Sequence, residues 1–278
     1  MKSNITDEPT SRIFQAKVLN KYDVSFFQCQ KTGFVQSEKP YWLDEAYASA
    51  ITQLDIGLVK RNLEISEKIA RLLAKNFNPH EKFLDYAGGY GLLTRLMRDK
   101  GFNFSHTERF CQNIFAEHFE ANLDIPTYFE AVTAIETIEH IENQFEFIDH
   151  LFQKSDSIIF STEILPYQKP EQIKAWHYLA LETGQHISFH TVASLKFLAD
   201  QFNCHLYTDG QLLHILTKKE LKTDPFQNSQ PNWLLRKLER FSKKYANAYY
   251  KFPKSLFSSD IDSVKKKLHI SQPEKIES

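Results

Sequence analysis

From Phe83 to Gly91 the chain reads Phe-Leu-Asp-Tyr-Ala-Gly-Gly-Tyr-Gly, and Leu92-Leu93-Thr94-Arg95-Leu96 continues it at helical spacing. An apolar strand that ends in an acid, a glycine-rich turn and a helix start make a place where a ligand can lie against bare backbone at the carboxyl end of a sheet. Only 8 of the 278 residues are glycine, so the cluster Gly88, Gly89 and Gly91 marks a need of the backbone itself. The dinucleotide spacing GxGxxG fails, because Thr94 stands where Gly or Ala is required. Asp85 would also set a carboxylate beside two phosphates, whereas it suits a cationic ligand with an amino group. Glu108, 23 residues further on at the end of the next apolar run, has two acceptor oxygens for the two hydroxyls of a ribose. Glycine loop, strand-end acid and cationic ligand together suggest S-adenosylmethionine (SAM). The plainer alternative is a helix-capping turn with incidental acids.

Transfer of a methyl group from a sulfonium needs an in-line nucleophile, and positioning and desolvation can dominate. A hydroxyl acceptor gains from a base whose pKa lies near working pH, most often histidine. The segment from Trp176 to His190 holds His177, Tyr178, Glu182, His186 and His190. It follows an apolar run expected to be a strand, so it should lie over the crevice mouth. His186 is the favoured base, with His140 and Tyr178 as further candidate catalytic residues. Each has a structural alternative. His186 could cap a helix or bond a backbone carbonyl, His177 and Tyr178 could be core and rim, and His140 could be structural at a helix start. His190 precedes Thr191, an expected helix cap. Cys111 fits packing or a lining near adenine better than a nucleophile. A metal site from His177, Glu182 and His186 is conceivable by residue type, but one turn-broken segment rarely supplies three convergent ligands, so no metal is expected.

The elements that must position these residues follow from the periodicity. Residues 1–42 mix aromatic and polar positions, enough for a short strand or two. From Leu43 the spacing turns helical through Leu54, and again from Val59 to Leu73, so two helices or one bent helix should lead into Asn78-Pro79. Between 81 and 218, apolar runs at Phe83–Tyr86, Phe102–Glu108, Ala131–Ile135 and Ser157–Thr162 are separated by helix-sized segments, as parallel βαβ units require. Runs at Cys204–Thr208 and Leu212–Leu216 flank Asp209-Gly210, a hairpin signal, so the sheet should end with an antiparallel strand.

On these residues the chain resembles class I SAM-dependent methyltransferases. Asp85, Gly89 and Gly91 match the family motif D-x-G-x-G-x-G, with Ala87 in place of the first glycine. Alanine dislikes a positive φ, so the turn should differ locally, with Gly88 restoring the lost freedom. Residues 132–140, Val-Thr-Ala-Ile-Glu-Thr-Ile-Glu-His, resemble the family's fourth strand and its exit. Residues 160–166 resemble the fifth, and Gly184-Gln185-His186 resembles the Gly-Thr-His of the quinone-pathway O-methyltransferases. Phe34-Val35-Gln36-Ser37-Glu38-Lys39-Pro40-Tyr41-Trp42-Leu43-Asp44-Glu45-Ala46-Tyr47 is similar to the N-terminal extension of a bacterial subgroup often associated with surface polysaccharide or glycan biosynthesis. Many of its members carry a second Cys near the position of Cys29. Here Lys31-Thr32-Gly33 stands instead, so no zinc site of that kind is expected.

The resemblance covers about residues 80–218. It implies an α/β fold, a Rossmann-like methyltransferase sheet that is mostly parallel with a terminal antiparallel hairpin strand and helices on both faces. It implies a SAM-binding set of Asp85, Ala87, Gly88, Gly89, Gly91, Glu108, Arg109 and Glu136. The expected organisation is an N-terminal extension (1–42), a methyltransferase domain with leading helices (43–218) and a basic helical C-terminal extension (219–278). The expected function is methyl transfer to a small or glycan-linked acceptor, with oxygen the favoured atom. The alternative is a SAM-binding, non-catalytic module that assembles with glycan-biosynthesis enzymes.

Composition bounds the partners. The 34 Lys/Arg and 35 Asp/Glu leave a net charge of −1, so no global basic field exists to hold nucleic acid. The charge is uneven, since residues 218–278 carry +7 and the rest −8. Leu234, Leu238, Phe241, Tyr245 and Tyr249 form a helical stripe beside basic residues. The stripe suits packing on the main domain, or contact with a membrane surface or an acidic partner. Residues from about Gln272 look disordered. Three widely spaced cysteines, no signal-peptide pattern and no long apolar run give the expectation of a cytoplasmic protein.

Overall fold

The computed structural model describes residues 1–48, 51, 54–123, 125–226 and 252–268. Four strands end at one edge of the main sheet: β4 (Lys82–Tyr86), β5 (Asn103–Thr107), β6 (Ala131–Ile135) and β7 (Ser157–Ser161). With β9 (His205–Thr208) and β10 (Leu213–Thr217) they form a six-stranded sheet in the order β5-β4-β6-β7-β10-β9. β4 pairs in parallel with β5 and β6, and β6 with β7. β7 and β10 are buried along their whole length, as expected of strands covered on both faces.

The hairpin forms where Asp209-Gly210 places it. Asp209 Oδ1 accepts the backbone N–H groups of Gln211, Leu212 and Leu213 at 2.8–3.0 Å. Its antiparallel strand is not terminal, however: β10 lies between β7 and β9, antiparallel to both. β9 therefore occupies the sheet edge.

Helices cover both faces. α2 (Leu58–Asn76) and α3 (Leu92–Asp99) bury Ile65, Ile69, Leu73, Leu93 and Met97 against Phe83, Phe104 and Ile215. On the other face α4 (Gln144–Phe152) and α6 (Val192–Gln201) bury Ile148, Leu151, Leu195 and Leu198 against Leu84, Val132 and Phe160. Each such side chain contributes about 1.5–3 kcal/mol on burial. Side-chain caps start the second pair: Asn143 accepts from the Glu146 N–H, and Thr191 and Ser194 form a reciprocal capping box.

The connection from β5 to β6 departs from the expected βαβ pattern. No helix lies between them among the described residues. Asn113 Oδ1 takes the Ala116 N–H at 3.0 Å, a cap-like turn that no helix follows among the described residues. Residues 119–121 then pair alongside β5 through Glu120 and His106.

Residues 1–42 form more than a short strand or two. β1 (Thr10–Val18), β2 (Tyr22–Cys29) and β3 (Val35–Ser37) join β8 (Ser188–Phe189) in a four-stranded sheet, order β1-β2-β3-β8. This sheet unites residues from both sides of the boundary expected after residue 42. Its core takes in Phe26, Val35, Trp42, Trp176, Tyr178 and Phe189. Among the described residues the helix expected from Leu43 is one turn, α1 (Leu43–Ala46). On α2, Val59 and Leu63 are exposed although they share the helical spacing of the buried Ile69 and Leu73. A further short helix, α5 (Pro170–Lys174), packs against β1.

In the basic extension, α7 (Phe257–Lys267) docks on α3. Asp260 accepts from Arg98 at 2.6 and 2.9 Å and from Arg95 at 2.8 Å. The stripe from Leu234 to Tyr249 and the residues from Gln272 lie outside the described residues. Among the described residues no helix is long and apolar enough to cross a membrane.

Candidate functional site

β4 delivers Asp85 and the glycine turn to the carboxyl edge of the sheet. Asp85 is 1% exposed, and each of its oxygens accepts one hydroxyl at 2.9 Å, Oδ2 from Thr94 and Oδ1 from Thr133. Thr94, the residue that breaks the dinucleotide spacing, thus joins α3 to the strand-end acid. Burial raises the Asp85 pKa, and the neighbouring His106 opposes that shift.

The turn meets its conformational demands differently from the expectation. Ala87 itself takes φ +54°, and Gly88 has no positive φ. Gly88 is required by space: a Cβ there would lie 2.5 Å from Asp85 Oδ2 and 2.7 Å from His106 Nδ1. Gly89 (φ +57°) and Gly91 (φ +81°) hold the left-handed conformations that carry the chain into α3.

Glu108 follows β5 and closes over this loop. Its Oε2 accepts the Gly89 N–H at 3.0 Å, and its Oε1 accepts those of Arg109 and Phe110 at 2.7 and 2.8 Å. Arg109 itself is exposed. Two carboxylate oxygens offer about four acceptor positions, so capacity remains for a ligand hydroxyl. Bare backbone beside this carboxylate fits a molecule that has both a ribose and an amino-acid end. Glu136 leaves β6 with φ +51°. Its N–H donates to Ser161 Oγ at 2.8 Å, and that hydroxyl donates to Glu136 Oε1 at 2.5 Å. Burial raises its pKa, while Arg61 lowers it.

The histidine-rich segment scatters to three places. His177 is exposed and faces Glu163 at 3.3 Å. His190 is buried against Phe34, with Nδ1 3.1 Å from Ser194 Oγ. His186 turns inward and meets His140, ring centroids 4.8 Å apart and nearly perpendicular. His186 Nδ1 lies 2.7 Å from the Tyr178 carbonyl, and His140 Nδ1 lies 3.1 Å from the Gln185 carbonyl. His177 and Glu182 do not join His186. Glu139 does, a fully buried acid that sequence reasoning passed over. One ligand atom from each of Glu139, His140 and His186 lies within 4.8 Å of the other two. The spacing Glu139-His140 at a strand exit, opposite a Gly-x-His turn, was the signal available for it.

Burial dominates the electrostatics of this cluster. It pushes His140 down to about 3, helped by His186, and His186 down to about 4. Glu139 is held well above the carboxylate range by burial and then by Glu136. Burial thus keeps the His186 imidazole neutral, because its desolvated cation is costly. Tyr178 is likewise raised by burial. Its hydroxyl donates to Glu139 Oε1 at 2.8 Å, so it positions rather than titrates.

The frame around the cluster comes from the N-terminal third. Trp42 Nε1 donates to the Gly184 carbonyl at 2.8 Å, and Gln185 Nε2 donates to the Ala46 carbonyl at 2.9 Å. The Tyr47 ring stands 5.5 Å from Phe110, next to Glu108, and 6.3 Å from His140. It thus neighbours both the segment that follows Glu108 and the histidine cluster. Arg61, clamped by both oxygens of Asp55 at 2.7 and 3.1 Å, adds positive charge near Glu136 and His186. Tyr47 closes the N-terminal segment that resembles the bacterial subgroup, whereas Asp55 and Arg61 carry no motif, and only the fold brings the three to the site.

Solved structures are similar to part of this chain at low identity. An O-methyltransferase family 2 protein from Planctomyces limnophilus, in complex with apigenin, is 12% identical with a TM-score of 0.45, over 63% of this chain and 65% of that one. CalO1, a methyltransferase in calicheamicin biosynthesis in its SAH-bound form, is 12% identical with a TM-score of 0.39, over 64% and 60%. An O-methyltransferase family protein from Burkholderia thailandensis is 11% identical with a TM-score of 0.39, over 56% and 57%. This chain thus spans less than two thirds of the length of each. No curated protein matches the sequence significantly. The family model described as "Methyltransferase domain" matches residues 59–208, more than half of the chain and nearly all of the span from α2 to β9. The chain belongs to this methyltransferase family, the class I enzymes that take their methyl group from SAM.

Proposed function

We propose that this protein transfers the methyl group of SAM to a hydroxyl oxygen of a small acceptor. Ala87, Gly88, Gly89, Gly91, Glu108, Arg109 and Glu136 form the cofactor end with Asp85 seated beneath the loop, and His140, His186 and Tyr178 serve the acceptor end. The observation that carries this reading is the placement of Tyr47, whose ring neighbours both Phe110 beside Glu108 and the half-buried His140. Cofactor loop and proton-handling groups then face one crevice instead of two.

SAM supplies an electrophilic methyl group on a sulfonium. The residues of this chain hold the acceptor oxygen in line and exclude water, the main requirements of such a displacement. Glu108 has remaining acceptor capacity for the ribose, while Asp85 braces the loop from below through Thr94 and Thr133. His140 and His186 offer neutral imidazole lone pairs to an acceptor O–H. A glycan-linked form of the acceptor rests on the resemblance of residues 34–47 alone.

The test is turnover. The full chain is incubated with SAM and a panel of phenols, catechols and sugars, and S-adenosylhomocysteine (SAH) is quantified. SAH formed with a hydroxyl acceptor, and lost in His186→Gln while SAH affinity stays within about twofold, supports the reading. SAM binding without turnover across the panel favours the non-catalytic module instead, and absence of SAM binding overturns both.

A further inference from the structure

We propose that Glu139, His140 and His186 form a binding site for one divalent first-row transition-metal ion, open to the acceptor oxygen. The three side chains come from two segments 45 or more residues apart, yet one ligand atom from each lies within 4.8 Å of the other two. Ligands about 2.1 Å from a tetrahedral metal are about 3.4 Å apart, so a small rotation of the side chains closes the set.

The hydrogen bonds prepare the nitrogens for a cation. A carbonyl oxygen only accepts, so the bonds to Gln185 O and Tyr178 O place the proton on Nδ1 of His140 and of His186. In the neutral rings each Nε2 is then left with its lone pair. Tying the remote ring nitrogen to a carbonyl is the usual way a protein fixes the tautomer of a metal-binding histidine.

The acid carries the second, independent sign. Glu139 is 0% exposed, and its Oε1 accepts the Tyr178 hydroxyl. Its Oε2 is buried with no hydrogen-bond partner among the described residues. A carboxylate oxygen left alone in a closed space is costly. A cation bound between it and two imidazole lone pairs would satisfy all three groups. Two imidazoles and one carboxylate suit zinc, iron, cobalt or manganese rather than calcium or magnesium, and they leave coordination positions free. An acceptor hydroxyl bound there would lose its proton to solvent more readily, because the ion withdraws charge from its oxygen. Only this last consequence rests on the methyl-transfer reading.

The test uses Co²⁺ as the probe on the full chain after chelator treatment. Visible absorption reports ligand geometry and calorimetry reports stoichiometry. The expected result is one Co²⁺ per chain with d–d bands of a site containing nitrogen ligands. His140→Gln, His186→Gln and Glu139→Gln should each weaken binding at least tenfold. SAH calorimetry on the same samples reports whether the fold and the cofactor side persist. Absence of stoichiometric Co²⁺ binding by a chain that still binds SAH overturns the metal site alone. Co²⁺ binding unchanged by all three substitutions overturns it as well. Co²⁺ binding by a chain that does not bind SAH supports the metal site and overturns the SAM reading instead. Where a substituted chain loses SAH binding, Tyr178→Phe serves in its place: it frees Glu139 Oε1 without removing a ligand, and Co²⁺ affinity or the d–d spectrum must then shift.

Discussion

The indole N–H of Trp42 donates to the carbonyl oxygen of Gly184 at 2.8 Å, across 142 residues of chain. That bond places the turn carrying His186 against the N-terminal sheet, where Gly184 (φ +66°) has room for no side chain. A Cβ there would lie 2.7 Å from Val18 Cγ1. The N-terminal region is thus bonded directly to the turn that carries His186, which the proposed reading puts on the acceptor side. Trp42→Phe should remove one buried hydrogen bond, about 1 kcal/mol of stability by urea unfolding. SAH affinity should stay within about twofold, while kcat with any accepted hydroxyl falls roughly tenfold, because the histidines lose their register. Equal loss of both would mean that Trp42 supports the fold without favouring the acceptor side.

The glycine turn makes two opposed predictions at neighbouring positions. Ala87 sits at φ +54°, where an L-residue carries about 1–2 kcal/mol of strain. Ala87→Gly relieves it but adds about 0.4–1 kcal/mol of unfolded-state freedom. The net expectation is a gain of about 0.5–1 kcal/mol in chemical unfolding, with SAH binding retained. Gly88→Ala should do the reverse, since its Cβ would meet Asp85 Oδ2 at 2.5 Å and His106 Nδ1 at 2.7 Å. SAH affinity should fall at least tenfold, read by calorimetry. A stable Gly88→Ala chain with normal affinity would refute the tight seat of Asp85 under the loop.

His190 gives a pH prediction away from the crevice. Burial, with His214 adding to it, pushes its pKa down to about 3 from 6.5. The unfolded chain therefore takes up a proton at this residue on acidification that the folded chain refuses. The stability it contributes is complete above pH 6.5 and is lost as pH falls toward 3. For this one residue the loss between pH 7.5 and pH 5 is about 2 kcal/mol. Glu139 and Asp85, raised by burial, slope the opposite way, so the contribution is read as a difference. Urea unfolding of the wild type and of His190→Asn at both pH values should show the decline shrink by about that amount in the variant. An unchanged decline would place the buried proton uptake elsewhere.

By itself the sequence determined what is local. An acid at a strand end, a glycine-rich turn and a helix start are decided within a dozen residues, so the strand, turn and helix around Asp85, Gly89 and Gly91 were legible, and the next parallel strand set Glu108 at its end, against Gly89. The hairpin was legible too, because Asp209 bonds three N–H groups within four residues of itself. What periodicity left open were pairings across distance. β10 slid between β7 and β9, β8 joined a sheet begun at Thr10, and three histidines close in sequence parted to three environments. Only the tertiary structure buried Glu139 beside His140 and His186 and brought Tyr47 and Arg61 to the same crevice. Burial and long-range hydrogen bonds depend on which surfaces meet, and a one-dimensional pattern records which faces are apolar but not which faces they cover.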